Sequence, residues 1–184
     1  MVLYPYANYP VASEYMRGTL FQPIDPKRLR AAREFVKMAD GRYGIRVELD
    51  EKELYIKLTP GPDAAVDAIL KVREMAKAVA LGFAPDQAMA LESDEYVLTV
   101  IDLKEVTDKP NHLRRIKGRI IGEDGRAKKT IENLAQVAMV IGDTYVAILG
   151  KLEDVEIARR AVEMLIEGKK HGTVYKFIQS LKRP

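Results

Sequence analysis

Apolar positions recur along the chain in two rhythms, and the switches between them mark the elements. Ile45, Val47 and Leu49 alternate with Arg46 and Glu48, and after a polar turn Leu54, Ile56 and Leu58 alternate with Tyr55 and Lys57. A period of two puts one strand face on a core, so this segment predicts a two-stranded hairpin. Thr59-Pro60-Gly61-Pro62-Asp63 punctuates it, with Asp63 placed to cap a helix. Val66, Ile69, Leu70, Met75, Ala76 and Val79 share a broad face of that helix. Upstream, Asp25-Pro26 sets a capping carboxylate before a proline at the first helical position. Leu29, Ala32, Phe35 and Val36 continue that helix until Gly41 stops it. The Tyr- and Pro-rich start, to about Tyr15, has no period and predicts an extended arm, with a short strand around Met16 to Phe21. Pro85-Asp86 predicts a short helix to Leu91.

The same order returns in the second half. Tyr96 to Leu103 reads as a strand, and a helix from Asn111 carries Leu113, Ile116 and Ile120 on one face. A glycine loop leads to a helix from about Arg126 to Leu134, with Ala127, Ile131 and Leu134 inward. Strands come next, near Ala138 to Ile141 and Tyr145 to Leu149. A helix from about Glu153 to Glu167 buries Val155, Ala158, Val162 and Leu165. A last helix from near Thr173 has Val174, Phe177, Ile178 and Leu181 on one face. Hairpin, turn and long helix thus occur twice, which predicts an α+β chain of two copies of one small unit, residues 1–92 and 93–184, with the boundary near Ser93.

Charge sharpens this picture. The whole chain carries a net charge of only +3, too little to imply a nucleic-acid partner by itself. Between positions 114 and 129, however, seven basic residues face two acidic ones. Arg114, Arg115, Lys117 and Arg119 precede the loop Gly122-Glu123-Asp124-Gly125, and Arg126, Lys128 and Lys129 come after it. Glycine lets a phosphate backbone lie close to the main chain. The helix that starts at the loop offers free N–H groups and a positive dipole end. Arg119, Arg126, Lys128 and Lys129 are therefore expected on phosphates rather than bases. The acidic apex Asp124 is placed to cap the same N–H groups and to oppose a phosphate there. A second glycine pair, Gly41-Arg42-Tyr43-Gly44, leads directly into a strand and reads as a helix C-cap.

Strand, helix, Gly-x-x-Gly, helix, strand, strand, helix with basic flanks resembles the KH domain, whose loop clamps a few backbone nucleotides. The stretch Leu113-Arg114-Arg115-Ile116-Lys117-Gly118-Arg119-Ile120-Ile121-Gly122 narrows the match, with Glu167-Gly168 and His171-Gly172-Thr173-Val174-Tyr175. Together they resemble the Dim/Pno group of archaeal and eukaryotic tandem-KH proteins, factors of small ribosomal subunit assembly. The resemblance is close from about Leu81 to Leu181 and rests on element order alone before that. It implies two tandem type I KH-like domains plus a C-terminal helix. The first is degenerate, because a single helix stands where archaeal relatives usually carry a glycine-pair loop. It also implies binding of single-stranded rRNA near the 3′ end of the small-subunit RNA and action in pre-rRNA 3′-end maturation. The implied partners are the Nob endonuclease and translation initiation factor two, alpha subunit. The implied RNA contacts are Arg115, Lys117, Gly118, Arg119, Ile120, Ile121, Gly122, Glu123, Asp124, Gly125, Arg126, Lys128 and Lys129. For Ile120 and Ile121 two roles stand open, the wall of a groove for bases or plain core packing.

Other chemistries find little footing. There is no cysteine, and neither His112 nor His171 stands in a metal-ligand spacing. Glu123 and Asp124 are adjacent carboxylates on a loop, a poor general acid/base pair. No Gly-Lys-Ser/Thr closes the glycine loop as in a nucleotide-binding P-loop. No enzyme, no metal and no cofactor are expected. No apolar run approaches membrane-spanning length and the start lacks a secretory pattern, so the chain reads as a cytoplasmic, membrane-free protein. The competing reading is a protein-interaction scaffold with weak or no RNA binding.

Overall fold

The structure, a computed structural model, describes residues 18–182. The expected N-terminal arm lies outside the described residues. The chain divides between Glu92 and Ser93 into two compact units.

The first unit contains β1 (Leu20–Pro23), α1 (Leu29–Ala39), β2 (Ile45–Asp50), β3 (Tyr55–Pro60), α2 (Val66–Leu81) and α3 (Pro85–Met89). A single tight turn, Pro26–Arg28, precedes α1, and the Asp25 carboxylate accepts the Lys27 amide at 2.8 Å. Of the strand expected around Met16 to Phe21, Met16 and Arg17 lie outside the described residues, and the described strand is Leu20–Pro23, with Leu20 opposite Leu58. Ala32, Phe35 and Ala39 are buried on α1, which packs on β2, α2 and α3. Two expectations for α2 fail. Asp63 caps nothing, since the N-cap is Ala65 with no side-chain bond. Val66 and Leu70 are not core, being 73% and 50% exposed. Burial begins only at Val72, where the helix meets α3 and the sheet.

The second unit contains β4 (Tyr96–Asp102), α4 (Pro110–Ile121), α5 (Arg126–Ala135), β5 (Ala138–Ile141), β6 (Tyr145–Lys151), α6 (Leu152–Ile166) and α7 (His171–Lys182). Its core joins Ile116 and Ile120 of α4, Ile131 of α5, Val146 and Ile148 of β6, Val162 and Leu165 of α6, and Val174 and Ile178 of α7. Leu181, expected on the inner face of α7, is exposed instead, because the helix runs past the core at its last turn.

Both sheets are antiparallel with one order, in which the first and second strands of the unit flank the third: β1-β3-β2 and β4-β6-β5. Each leaves its second strand at an edge, with outward amides in need of a partner. The device that supplies one is the same in both units. Asp40 accepts the Val47 amide of β2 at 2.9 Å, and Glu132 accepts the Met139 amide of β5 at 2.8 Å, each across seven residues. The helix that leads to the second strand is therefore α1 in one unit and α5 in the other. Among the described residues, the first unit has no counterpart of α4 and its glycine loop. The architecture is α+β and KH-like, with the first unit degenerate and a C-terminal helix on the second.

Candidate nucleic-acid interface

The loop between α4 and α5 owes its path to two glycines and one strained residue. Gly122 adopts φ 74, ψ 177, a region open only to glycine. A Cβ there would lie 2.5 Å from Ala127 Cβ and 2.7 Å from the Ala127 amide nitrogen. The first turn of α5 therefore packs directly on Gly122. Asp124 (φ 52) and Gly125 (φ 76) are both left-handed, and a Cβ at Gly125 would meet open space.

The N-cap of α5 is Gly125, and no side chain caps the helix. The expectation that Asp124 caps it is overturned: its carboxylate points to solvent, 3.8 Å from the Arg126 guanidinium, with both side chains mostly exposed. A left-handed Asp just before a glycine cap leaves no path for its carboxylate back to the helix amides. The first-turn N–H groups of α5 are thus free of side-chain partners beside a basic flank.

The basic residues divide by what they hold. Arg114, Arg115, Arg126 and Lys129 are exposed, and of these only Arg126 has a carboxylate partner among the described residues. Lys128 pairs with Glu132 at 3.0 Å, the carboxylate that also holds β5. Lys117 reaches across to the β5–β6 turn, donating to the Asp143 carbonyl at 3.2 Å with the carboxylate at 3.6 Å. Arg119 departs from the expectation of a phosphate contact. Its guanidinium donates to the carbonyls of Leu165 at 3.2 Å and Lys169 at 2.6 Å, so it serves the end of α6. Ile120 is fully buried and belongs to the core, while Ile121 is half-buried. Gly118, Glu123 and Asp124 are exposed and Gly125 half-exposed.

Asp143 carries no sign of this role in the sequence. Its only signal is the Gly142-Asp143 turn between two short strands, which holds no hint of a lysine from α4. Among the described residues no group of His, Asp and Glu is arranged to hold a metal ion, and no helix is long and apolar enough to cross a membrane.

Comparison with known proteins fits this geometry. Residues 97–183 match the KH_PNO1_2nd model, described as a eukaryotic type KH-domain (KH-domain type I). A KH domain-containing protein of Methanocaldococcus jannaschii is 36% identical over 173 residues, 88% of this chain and 76% of that protein. The chain belongs to the Dim/Pno family of KH-domain proteins. Among eukaryotic Dim/Pno members, RNA-binding protein PNO1 of Oryzias latipes is 37% identical over 139 residues, 74% of this chain and 57% of that protein. The chain thus spans little more than half of that longer relative. Among solved structures, the a/eIF2alpha-aDim2p-rRNA complex from Pyrococcus horikoshii OT3 contains a chain with 26% identity and a TM-score of 0.75, covering 92% of this chain and 97% of that one. The Pyrococcus chain thus shares the fold over 92% of this chain, which includes the first unit, where the family model does not reach.

Proposed function

We propose that this chain binds single-stranded RNA through its second unit and acts in assembly of the small ribosomal subunit. One observation carries the reading: a glycine loop with an uncapped helix start stands among the exposed cations Arg114, Arg115, Arg126 and Lys129. A sugar–phosphate backbone fits such a loop, because its charge meets free N–H groups and exposed cations. The names of the relatives, an RNA-binding protein and a complex containing rRNA, support it. The site residues in this reading are Gly118, Ile121 and the Gly122–Gly125 loop with Arg115, Lys117, Arg126, Lys128 and Lys129, whereas Arg119 and Ile120 hold the fold beneath them.

The target in this reading is the 3′ region of the small-subunit rRNA, and the role is maturation of that end in the cytoplasm. Translation initiation factor two, alpha subunit, is the protein partner that the Pyrococcus complex supports. The Nob endonuclease is the partner implied by family resemblance. The chain is a binding protein in this scheme and leaves cleavage to the nuclease. The competing scaffold reading draws on Val66 and Leu70, apolar and exposed at the start of α2. Titration of the full chain with a single-stranded oligonucleotide from the 3′ end of the small-subunit rRNA, over a salt series, is the test. Salt-dependent binding supports the proposal, and its absence with retained partner binding favours the scaffold. Cleavage of the RNA by the pure protein would overturn the assignment as a binding protein.

A further inference from the structure

The link between α6 and α7, which carries Lys169 and Lys170, is tied to the last turn of α4, the turn that leads into the glycine loop, although it lies more than forty residues from that loop in sequence. Gly168, at φ 92, ends α6 by donating to Leu165, and the Lys169 amide donates to Met164 at 2.9 Å. This paired closure fixes the link to the helix end. Arg119 of α4 then grips the same link through the Leu165 and Lys169 carbonyls. His171 Nε2 lies 2.8 Å from the Arg119 carbonyl oxygen and ties the start of α7 to the same turn of α4. Arg119 stands three residues before Gly122, about 4.5 Å along the helix axis. The backbone of Lys169 is thus held on both sides at the last turn of α4, next to where the loop begins.

The fold itself draws nothing from these two charges. Lys169 and Lys170 are exposed and hold no ion pair among the described residues. The adjacent carboxylate, Glu167, is engaged by Arg160 at 3.0 Å. The Lys170 carbonyl accepts from Thr173 and Val174 at the start of α7, an end of a helix where cations are disfavoured. Two unpaired cations kept at an unfavourable position, on a link tied to the helix that leads into the glycine loop, have the character of an extension of that loop's surface.

We infer that Lys169 and Lys170 contact the phosphates of an RNA strand where it runs beyond the nucleotides held by the Gly122–Gly125 loop, with Arg119 and His171 as positioning residues. The inference rests on the RNA-binding reading above and lengthens its footprint. It concerns backbone only, because lysine ammonium groups read charge and carry no base selectivity.

The test uses the full chain and two single-stranded RNAs from the 3′ end of the small-subunit rRNA, one of about four nucleotides, the span held by such a loop, and one of about twelve. Lys169→Gln/Lys170→Gln is compared with the parent over a salt series, with melting curves to check folding. Binding of the short RNA is expected to be unchanged. Affinity for the long RNA is expected to fall about ten-fold near physiological salt, and its salt slope to become shallower by about 1.4, for two phosphate contacts. Unchanged binding of both RNAs overturns the inference and leaves the loop reading intact. An equal loss on both places the lysines inside the loop's own footprint and overturns the extension. A parent that binds neither RNA overturns the RNA-binding reading itself, and this inference with it.

Discussion

Single residues decide the path of the loop between α4 and α5. Gly122 and Gly125 both have positive φ, but only Gly122 has Ala127 against it. Gly122→Ala should therefore destabilise the protein by about 3 kcal/mol and open the hinge, while Gly125→Ala should lose about 1 kcal/mol. Chemical denaturation of the two variants checks the order, and equal losses would mean that the contact with Ala127 relaxes freely. Asp124 is a separate case. Its carboxylate caps no amide and meets only an exposed arginine, so stability has little stake in its charge. Asp124→Asn keeps a residue tolerant of left-handed backbone, and its stability should stay within about 0.5 kcal/mol of the parent. RNA binding should tighten, because a repulsive charge leaves the loop apex, and the gain should shrink as salt rises. Parallel melting curves and RNA titrations separate the two effects.

At the scale of elements, polar side chains from one element close the ends of another. Arg119 of α4 satisfies carbonyls at the end of α6 and in the link beyond it. Arg119→Met should destabilise the second unit by roughly 2 kcal/mol, since charge-assisted bonds to carbonyls are lost. A loss below about 0.5 kcal/mol in thermal or denaturant unfolding would show that water replaces the guanidinium without penalty. In the first unit the β2–β3 turn is held by Asp50, which accepts the amides of Lys52 at 3.0 Å and Glu53 at 2.9 Å. The Glu53 amide above all holds the Asp50 carboxyl below the usual carboxylate range, with the Lys52 amide and charge and the Tyr55 hydroxyl adding to it. A lowered carboxyl contributes stability that is present above its unfolded value and lost as pH falls through the folded one. Asp50→Ala should therefore melt lower than the parent at neutral pH, and the gap should close between about pH 5 and pH 2. A gap that persists at pH 2 would assign the loss to something other than the carboxylate.

Across the whole molecule, two units of like topology differ in charge and in one hinge. The first unit carries the glycine pair Gly41 and Gly44, yet the chain there passes straight into β2, with no helix start to present free amides. The second unit has that start and the exposed cations around it. Neutralising Arg42 and Arg46 together should leave RNA affinity within about two-fold of the parent, while neutralising Arg126 and Lys129 should lower it several-fold and flatten the salt slope. A reversed outcome would move the interface to the first unit.

Much of this was legible in the chain, for physical reasons. Alternation of Ile45, Val47 and Leu49, the capping pair Asp25-Pro26 and the glycine spacing at Gly122 and Gly125 are local signals, because backbone sterics and one-sided burial act within a few residues. They sufficed for the order of elements, the α+β class and the position of the loop. The features that the local pattern left open depended on distant partners. Arg119 looked like its basic neighbours until α6 supplied carbonyls for it, and Ile120 looked like Ile121 until the core closed over it. Val66 and Leu70 fit the helical period, but the element that would cover them is not set by period. Asp124 was placed to cap α5 by its position, and its left-handed backbone turned the carboxylate away. Lys169 and Lys170 gave no local signal of a link to α4 until two hydrogen bonds from Arg119 tied the end of α6 and the Lys169 backbone to that helix. Periodicity fixes which residues share a face, whereas burial, charge pairing and proximity across forty residues exist only once the helices have packed.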